Sequence, residues 1–269
     1  MGPKRIVCLT EEPTETLYAL GEQDRIVGVS GFTVRPAIAR KEKPKVSAFT
    51  SAKIGEILKL QPDLVIGFSD IQADIASDLI RNGVEVWISN HRSVEGILDY
   101  IRRLGALVGS SARANAYADD LNLRIDAIKA ETSQQSNRPK VYFEEWDSPH
   151  ISGIRWVSEL IQIAGGDDIY PDRAVMPLAR DRILEDPLDV VAKAPDIIVG
   201  SWCGKKFRPD SVASRAGWNI IPAVRDGELH EIKSPLILQP GPAALTAGLD
   251  ALRSIIQGWI LRNRQHDSC

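Results

Sequence analysis

Two stretches of this chain, "KLQPDLVIGFSD" (residues 59–70) and "AKAPDIIVGSWC" (residues 192–203), are built alike, and that repetition limits the fold more than any other feature. In each, a Pro-Asp pair separates a helix-forming segment from a short apolar run, and the two prolines, Pro62 and Pro195, stand 133 residues apart. Proline lacks the N–H that would continue a helix and disfavours helical geometry in the residue before it, so both act as terminators ahead of a strand. One such match is weak, since Pro-Asp before an apolar strand is common in α/β proteins. Two further echoes fall in the same order: "RIVCLTEEPTE" (5–15) with "KVYFEEWDSP" (140–149), and "ALGEQDRIVGV" (19–29) with "IAGGDDIYPD" (163–172). Three ordered matches predict two α/β lobes of related build.

Between the echoes, short β-branched runs alternate with segments of helical period, as in "DRIVGVSG", "KIGEILKLQP", "DLVIGF", "ADIASDLIRNG" and "VEVWIS". Alternation of this kind implies a mostly parallel sheet flanked by helices. Gly21, Gly83 and Gly109 sit where three helices should stop. The stretch 110–135 is rich in alanine and good helix formers, with Tyr117, Leu121, Ile125 and Ile128 along one face, and it reads as one long helix. The expected fold is α/β. An N-terminal lobe spans 1–109, a connecting helix spans 110–135, and a C-terminal lobe spans 136–269. Both lobes are Rossmann-like, each a mostly parallel sheet with flanking helices, and a ligand cleft lies between them.

Composition narrows the function. With 43% hydrophobic residues, the 269-residue chain can bury proper cores. Lysine plus arginine (33) against aspartate plus glutamate (36) gives a net charge of −3 without a dense basic run, which argues against nucleic acid as a partner. No apolar segment reaches the roughly 18 residues of a membrane helix. The N-terminal "MGPKRIVCLTEEPTETL" lacks the long apolar core and small-residue cleavage site of an export signal. The chain as written therefore reads as cytoplasmic, and as periplasmic if a leader has been removed. Three widely spaced cysteines, Cys8, Cys203 and Cys269, suggest neither a disulfide framework nor a structural zinc site.

In open α/β sheets, ligands sit outside the carboxyl ends of the strands. Those ends carry "TEE" (10–12), "SGFT" (30–33), "AFTS" (48–51), "FSD" (68–70) and "SNHRS" (89–93) in the first lobe, with "EEWD" (144–147) and "SWCGKK" (201–206) in the second. Five of the chain's 16 aromatic residues fall there: Phe32, Phe49, Phe68, Trp146 and Trp202. They either pack the lobes together or form an apolar cleft for a large, flat ligand. Glu11 and Glu144 complete the candidate ligand-binding set. "GSWCGKK" fails as a phosphate loop, because three residues rather than four separate Gly200 from Gly204 and Lys206 replaces the hydroxyl residue. Cys203 reads first as a small buried residue, and His91 and His150 as loop histidines, with metal ligation as the minor alternative for all three. Glu144, Glu145 and Asp147 could serve acid–base chemistry, but no nucleophile, metal cage or cofactor fingerprint accompanies them, so the protein is not expected to be an enzyme. Lys205 and Lys206 are solvated, or one of them meets an anionic group on a ligand.

The ordered set "RIVCLTEEPTETLYALGEQDRIVGVS", "VSAFTSAKIGEILKLQPDLVIG", "ISGIRWVSELIQIAGG", "AKAPDIIVG" and "LILQPGPAALTAGLDAL" resembles the helical-backbone solute-binding proteins of ABC importers, over about residues 4–260. Within that class the likeness is to cobalamin-binding proteins. The resemblance implies two α/β lobes on one long helix, a ligand between them, and pocket positions at the five aromatic residues named above. It implies a corrinoid as ligand, with haem or a siderophore as the alternative, no cofactor of the protein's own, a monomeric state, and docking on transporter membrane subunits through one acidic residue per lobe. Glu56 matches the first docking position. The second falls at Leu188, with Glu185, Asp186 and Asp189 beside it, and Asp189 is taken as its candidate. Ala243 follows "PGP" where siderophore binders often carry arginine, which lowers that option. A cytoplasmic tetrapyrrole chaperone or enzyme, using Cys203, His91 or Glu144 at the metal, is the competing reading.

Overall fold

The computed structural model describes residues 2–266, so Cys269 lies outside the described residues. The chain divides into two compact units. The first comprises Met1–His91, Glu95–Asn122 and Gln239–Ala243, and the second comprises Arg92–Val94, Leu123–Leu238 and Ala244–Cys269.

Five strands form the sheet of the first unit: β1 (Ile6–Cys8), β2 (Ile26–Ser30), β3 (Lys45–Ser47), β4 (Leu64–Phe68) and β5 (Val86–Ser89). Their order is β3-β2-β1-β4-β5 and all pairings are parallel, so every carboxyl end emerges along one edge. Successive side chains of a strand point to opposite faces. Ile6, Cys8, Leu64 and Ile66 accordingly pack on one side with Leu17, Tyr100 and Leu104. Val7, Leu9 and Val65 pack on the other with Ile57, Ile75 and Leu79. Both faces are covered, which is why these strands read as continuous apolar runs. Gly21, Gly83 and Gly109 stop helices as expected, at φ of +70°, +77° and +78°. Gly105 has a different role. A Cβ there would lie 2.0 Å from the Ala114 Cβ, so the helices Val94–Leu107 and Ser111–Thr132 approach to a distance that only glycine permits.

The second sheet contains β6 (Lys140–Asp147), β7 (His150–Ser152), β8 (Asp167–Asp168), β9 (Ile197–Gly200) and β10 (Leu229–Glu231). β8, β6, β9 and β10 run parallel in that spatial order, which reproduces β2-β1-β4-β5 of the first unit. The register agrees: Ile6 faces Leu64 as Val141 faces Ile197. Gln61 and Ala194, immediately before the two repeat prolines, are both left-handed at φ +47°. The repeat in the sequence is thus a repeat in the backbone.

Two expectations are corrected. "EEWD" does not follow a strand end; β6 continues through Asp147 and turns back into antiparallel β7, so these residues belong to a hairpin. The third echo, "DDIYPD", yields only the two-residue β8, because β7 occupies the same side of β6 along its second half.

The long helix runs over Ser111–Thr132 and buries Ala114, Ala118, Leu121, Ile125 and Ile128, while Tyr117 is half-buried at the margin of that stripe. No helix among the described residues is long and apolar enough to cross a membrane.

Candidate functional site

At the carboxyl edge of the first sheet, Phe32 is 40% exposed and stacks on half-buried Phe49, with ring centres 4.5 Å apart and planes at 24°. The loops beneath them are fastened by backbone bonds, Gly31 N–H to the Ser47 carbonyl (2.8 Å) and Ala48 N–H to the Ser51 carbonyl (2.7 Å). Gln72 was not anticipated from the sequence. Its fully buried amide donates to the Phe49 carbonyl (3.2 Å) and the Leu9 carbonyl (3.4 Å), and it accepts from the Phe68 N–H (2.9 Å). One side chain therefore ties three strand ends together. Gly67 makes room for it, since a Cβ there would lie 2.5 Å from the Gln72 Oε1.

Phe68 is half-buried and meets the His91 ring edge-on at 5.3 Å. His91 in turn stacks on Tyr100 at 4.6 Å, and its Nε2 lies 2.7 Å from the Pro240 carbonyl oxygen. Expected as a loop histidine, His91 is 7% exposed and part of the interior.

Glu11 and Glu12 open the helix Glu11–Ala19, directly after β1, and both are buried. The Thr10 hydroxyl donates to Glu12 at 2.6 Å. Burial, reinforced by the neighbouring Glu12 charge, pushes the Glu11 carboxyl up to about 8. Burial likewise pushes Glu12 up to about 7, against the hydrogen bond from Thr10.

In the second unit, Glu144 is fully buried and gathers partners from several elements. Arg215 donates to it through both terminal nitrogens (2.7 and 2.8 Å), Trp202 donates its indole N–H (3.1 Å), and Tyr142 donates its hydroxyl (3.1 Å). The His150 Nδ1 lies 3.2 Å from the same carboxylate. Burial alone would raise this carboxyl. The His150 and Arg215 hydrogen bonds and the Arg215 charge outweigh it and hold the group below the usual glutamate range. Arg215 also lies 4.5 Å over the Trp218 ring. Glu145, on the opposite face of β6, pairs with buried Arg182 at 2.5 Å. Neither arginine was foreseen.

Trp202 is only 3% exposed and belongs to the core cluster with Phe207 and Trp218, so its ring supports Glu144 from inside. Trp146 is half-buried, with its indole N–H donated to the Ser148 carbonyl (2.9 Å). Cys203 is half-buried. Among the described residues no group of three or more His, Cys, Asp or Glu is placed to hold a metal ion.

Glu56 is exposed on the short helix Ile54–Lys59 and pairs with Lys59 at 2.8 Å. That hydrogen bond and the Lys59 charge lower its carboxyl pKa. Asp189 is exposed on the helix Leu188–Lys193. Counted back from the left-handed pair Gln61 and Ala194, Glu56 and Asp189 fall at equivalent places. Leu188 stands one residue earlier and is 53% exposed.

The two units thus share one design, an open and mostly parallel α/β sheet. The chain belongs to the periplasmic binding protein family, whose model matches residues 6–236. It is 26% identical over 248 residues to a vitamin B12-binding protein of Vibrio parahaemolyticus, covering 91% of this chain and 86% of that protein. Its fold matches the periplasmic vitamin B12 binding protein of Vibrio cholerae (TM-score 0.74, 21% identity, 96% and 98% of the two chains). It also matches a periplasmic haem-binding protein of a Roseiflexus species in its apo form (TM-score 0.78, 24% identity, 95% and 100%). These relatives are named as binding proteins, not enzymes.

Proposed function

We propose that the protein is a solute receptor of the ABC-transporter type whose ligand is a corrinoid of the cobalamin kind. The observation that carries this reading is the partly exposed, stacked Phe32–Phe49 pair on clamped loops at a carboxyl sheet edge, with half-buried Phe68 at the end of β4 in the first unit and half-buried Trp146 in the β6–β7 hairpin of the second. Flat apolar faces held in place suit a large macrocycle, because little side-chain entropy remains to be lost on binding. Glu11, whose buried carboxyl is largely protonated at neutral pH, offers a hydrogen-bond donor to the amide carbonyls that fringe a corrin ring. Glu144 and Trp202 act from beneath, by holding the β6 face that presents Trp146. The B12-binding relative supports the ligand assignment, and the family supports a periplasmic place of work. Glu56 and Asp189, equivalent exposed carboxylates on the two units, are proposed as the contacts with transporter membrane subunits.

The test is equilibrium dialysis against cyanocobalamin for the wild type and the Phe32→Ala/Phe49→Ala variant. Covering a large apolar side chain contributes about 1.5–3 kcal/mol when it starts fully exposed, and these rings are already partly covered. The double variant should therefore bind roughly ten- to thirtyfold more weakly. Unchanged affinity would remove the ring pair from the site, and absence of binding to the wild type would remove the corrinoid.

A further inference from the structure

The loop that follows β9 carries three cations, Lys205, Lys206 and Arg208, and one of them is held in place. The Lys205 ammonium pairs with Asp147 at the end of β6. It also lies 5.1 Å from the centre of the Trp202 ring and 5.8 Å from that of Trp146. The loop beneath is anchored at both ends. The Ser201 N–H donates to the Glu144 carbonyl (2.9 Å) and the Phe207 N–H donates to Glu231 Oε1 (3.1 Å). The Phe207 ring lies so close over Gly200 that a Cβ there would come within 1.9 Å of it. A lysine on an open loop ordinarily samples many rotamers, and ordering it costs on the order of 1.5–2 kcal/mol. Here that order is built in before any ligand arrives, yet 47% of the side chain stays exposed. An ammonium has three N–H donors, and the two rings accept its charge through their faces, so donors remain for an incoming anion.

We propose that Lys205 determines specificity by meeting a negative charge on the ligand, so that the protein favours a corrinoid bearing the phosphodiester-linked nucleotide over one that lacks it. This rests on the corrinoid reading above. Trp146 supplies the apolar face beside the charge, and Asp147 tethers the ammonium through one of its three donors, which leaves two. Lys206, which lies over no aromatic ring among the described residues, serves as the internal control.

The experiment is calorimetric titration of the wild type, Lys205→Met, Lys206→Met and the double variant Lys205→Met/Asp147→Asn. Cyanocobalamin carries the phosphodiester and dicyanocobinamide does not. The double variant removes both members of the ion pair, so an unpaired Asp147 cannot imitate the effect. Wild type and Lys206→Met should prefer the phosphodiester-bearing corrinoid, with an affinity that falls as salt rises. Lys205→Met and the double variant should each bind it roughly tenfold more weakly, as expected for one partly screened charge-assisted contact, and with a flatter salt dependence. Their affinity for dicyanocobinamide should stay within about twofold of wild type. Unchanged affinity for both corrinoids in the two variants overturns the proposal, as does an equal loss for both, which would mark Lys205 as structural. A wild type that binds neither compound overturns the corrinoid reading itself, and this inference with it.

Discussion

Replacing Arg215 with methionine probes the most heavily partnered group in the second unit. Glu144 is fully buried, and Arg215 supplies two of its hydrogen bonds, at 2.7 and 2.8 Å, together with a full positive charge. Removing one partner of a buried ion pair ordinarily costs about 3–5 kcal/mol, because the remaining charge is left without compensation. Three neighbours persist, Trp202, Tyr142 and His150, so the lower end, about 3 kcal/mol, is expected. For a chain of this size that is a fall in Tm of roughly 6–12 °C. The pH dependence carries more information. In the wild type the Glu144 carboxyl is held below its ordinary value, so it contributes stability above that value and loses it as pH falls. Without Arg215, burial dominates and the folded-state pKa rises above the unfolded one, so the same residue gains stability as pH falls. The deficit of Arg215→Met relative to wild type should therefore shrink between about pH 6 and pH 4, measured by urea unfolding across that range. Glu144→Gln in the Arg215→Met background should restore part of the loss at pH 7, since it removes the uncompensated charge. Unfolding curves that superimpose on wild type at pH 7, or a deficit that stays constant with pH, would refute the reasoning.

Glu11 and Glu12 act in the opposite sense at the start of the helix after β1. Their carboxyls are raised from 4.5 to about 8 and about 7, so the stability they contribute is present at pH 4.5 and lost as pH rises through 7 and 8. For Glu12 the loss is on the order of 3 kcal/mol, and the Glu11→Gln/Glu12→Gln variant should flatten the fall in Tm between pH 5 and pH 8. Gln61→Gly and Ala194→Gly should each stabilise the protein by about 0.5–1 kcal/mol in urea unfolding, since both residues hold φ +47° and glycine adopts that geometry without strain. A loss in either would mean that the side chain makes contacts outweighing its backbone strain.

The repeat was legible because Pro62 and Pro195 leave a covalent mark ahead of matching strands, and the two sheets share register and order. Helix ends were legible at Gly21, Gly83 and Gly109 because only glycine enters the left-handed region without cost. The β6–β7 hairpin was hidden, since "EEWD" shows no turn signal until Ser148. Three-residue β10 alternates weakly at a sheet edge and gives no period to detect. Phe32, Phe49 and Phe68 stand at strand ends because the sheet rule places them there. Trp202 obeys the same rule in position, but its indole N–H finds a buried carboxylate and the ring turns inward. Gln72 and Arg215 were beyond reach, because their partners include residues 63 and 71 positions away and neither sits in a distinctive motif.

The central claim is that this chain binds a corrinoid against the rings at its strand ends. The most direct measurement is a tryptophan-fluorescence titration of ligand-free protein with cyanocobalamin, run beside haemin and repeated with Trp146→Phe. Saturable quenching by the corrinoid at sub-micromolar concentration, diminished in Trp146→Phe, is the expected result. Quenching by neither compound beyond its own absorbance, or saturation by haemin alone, would contradict it.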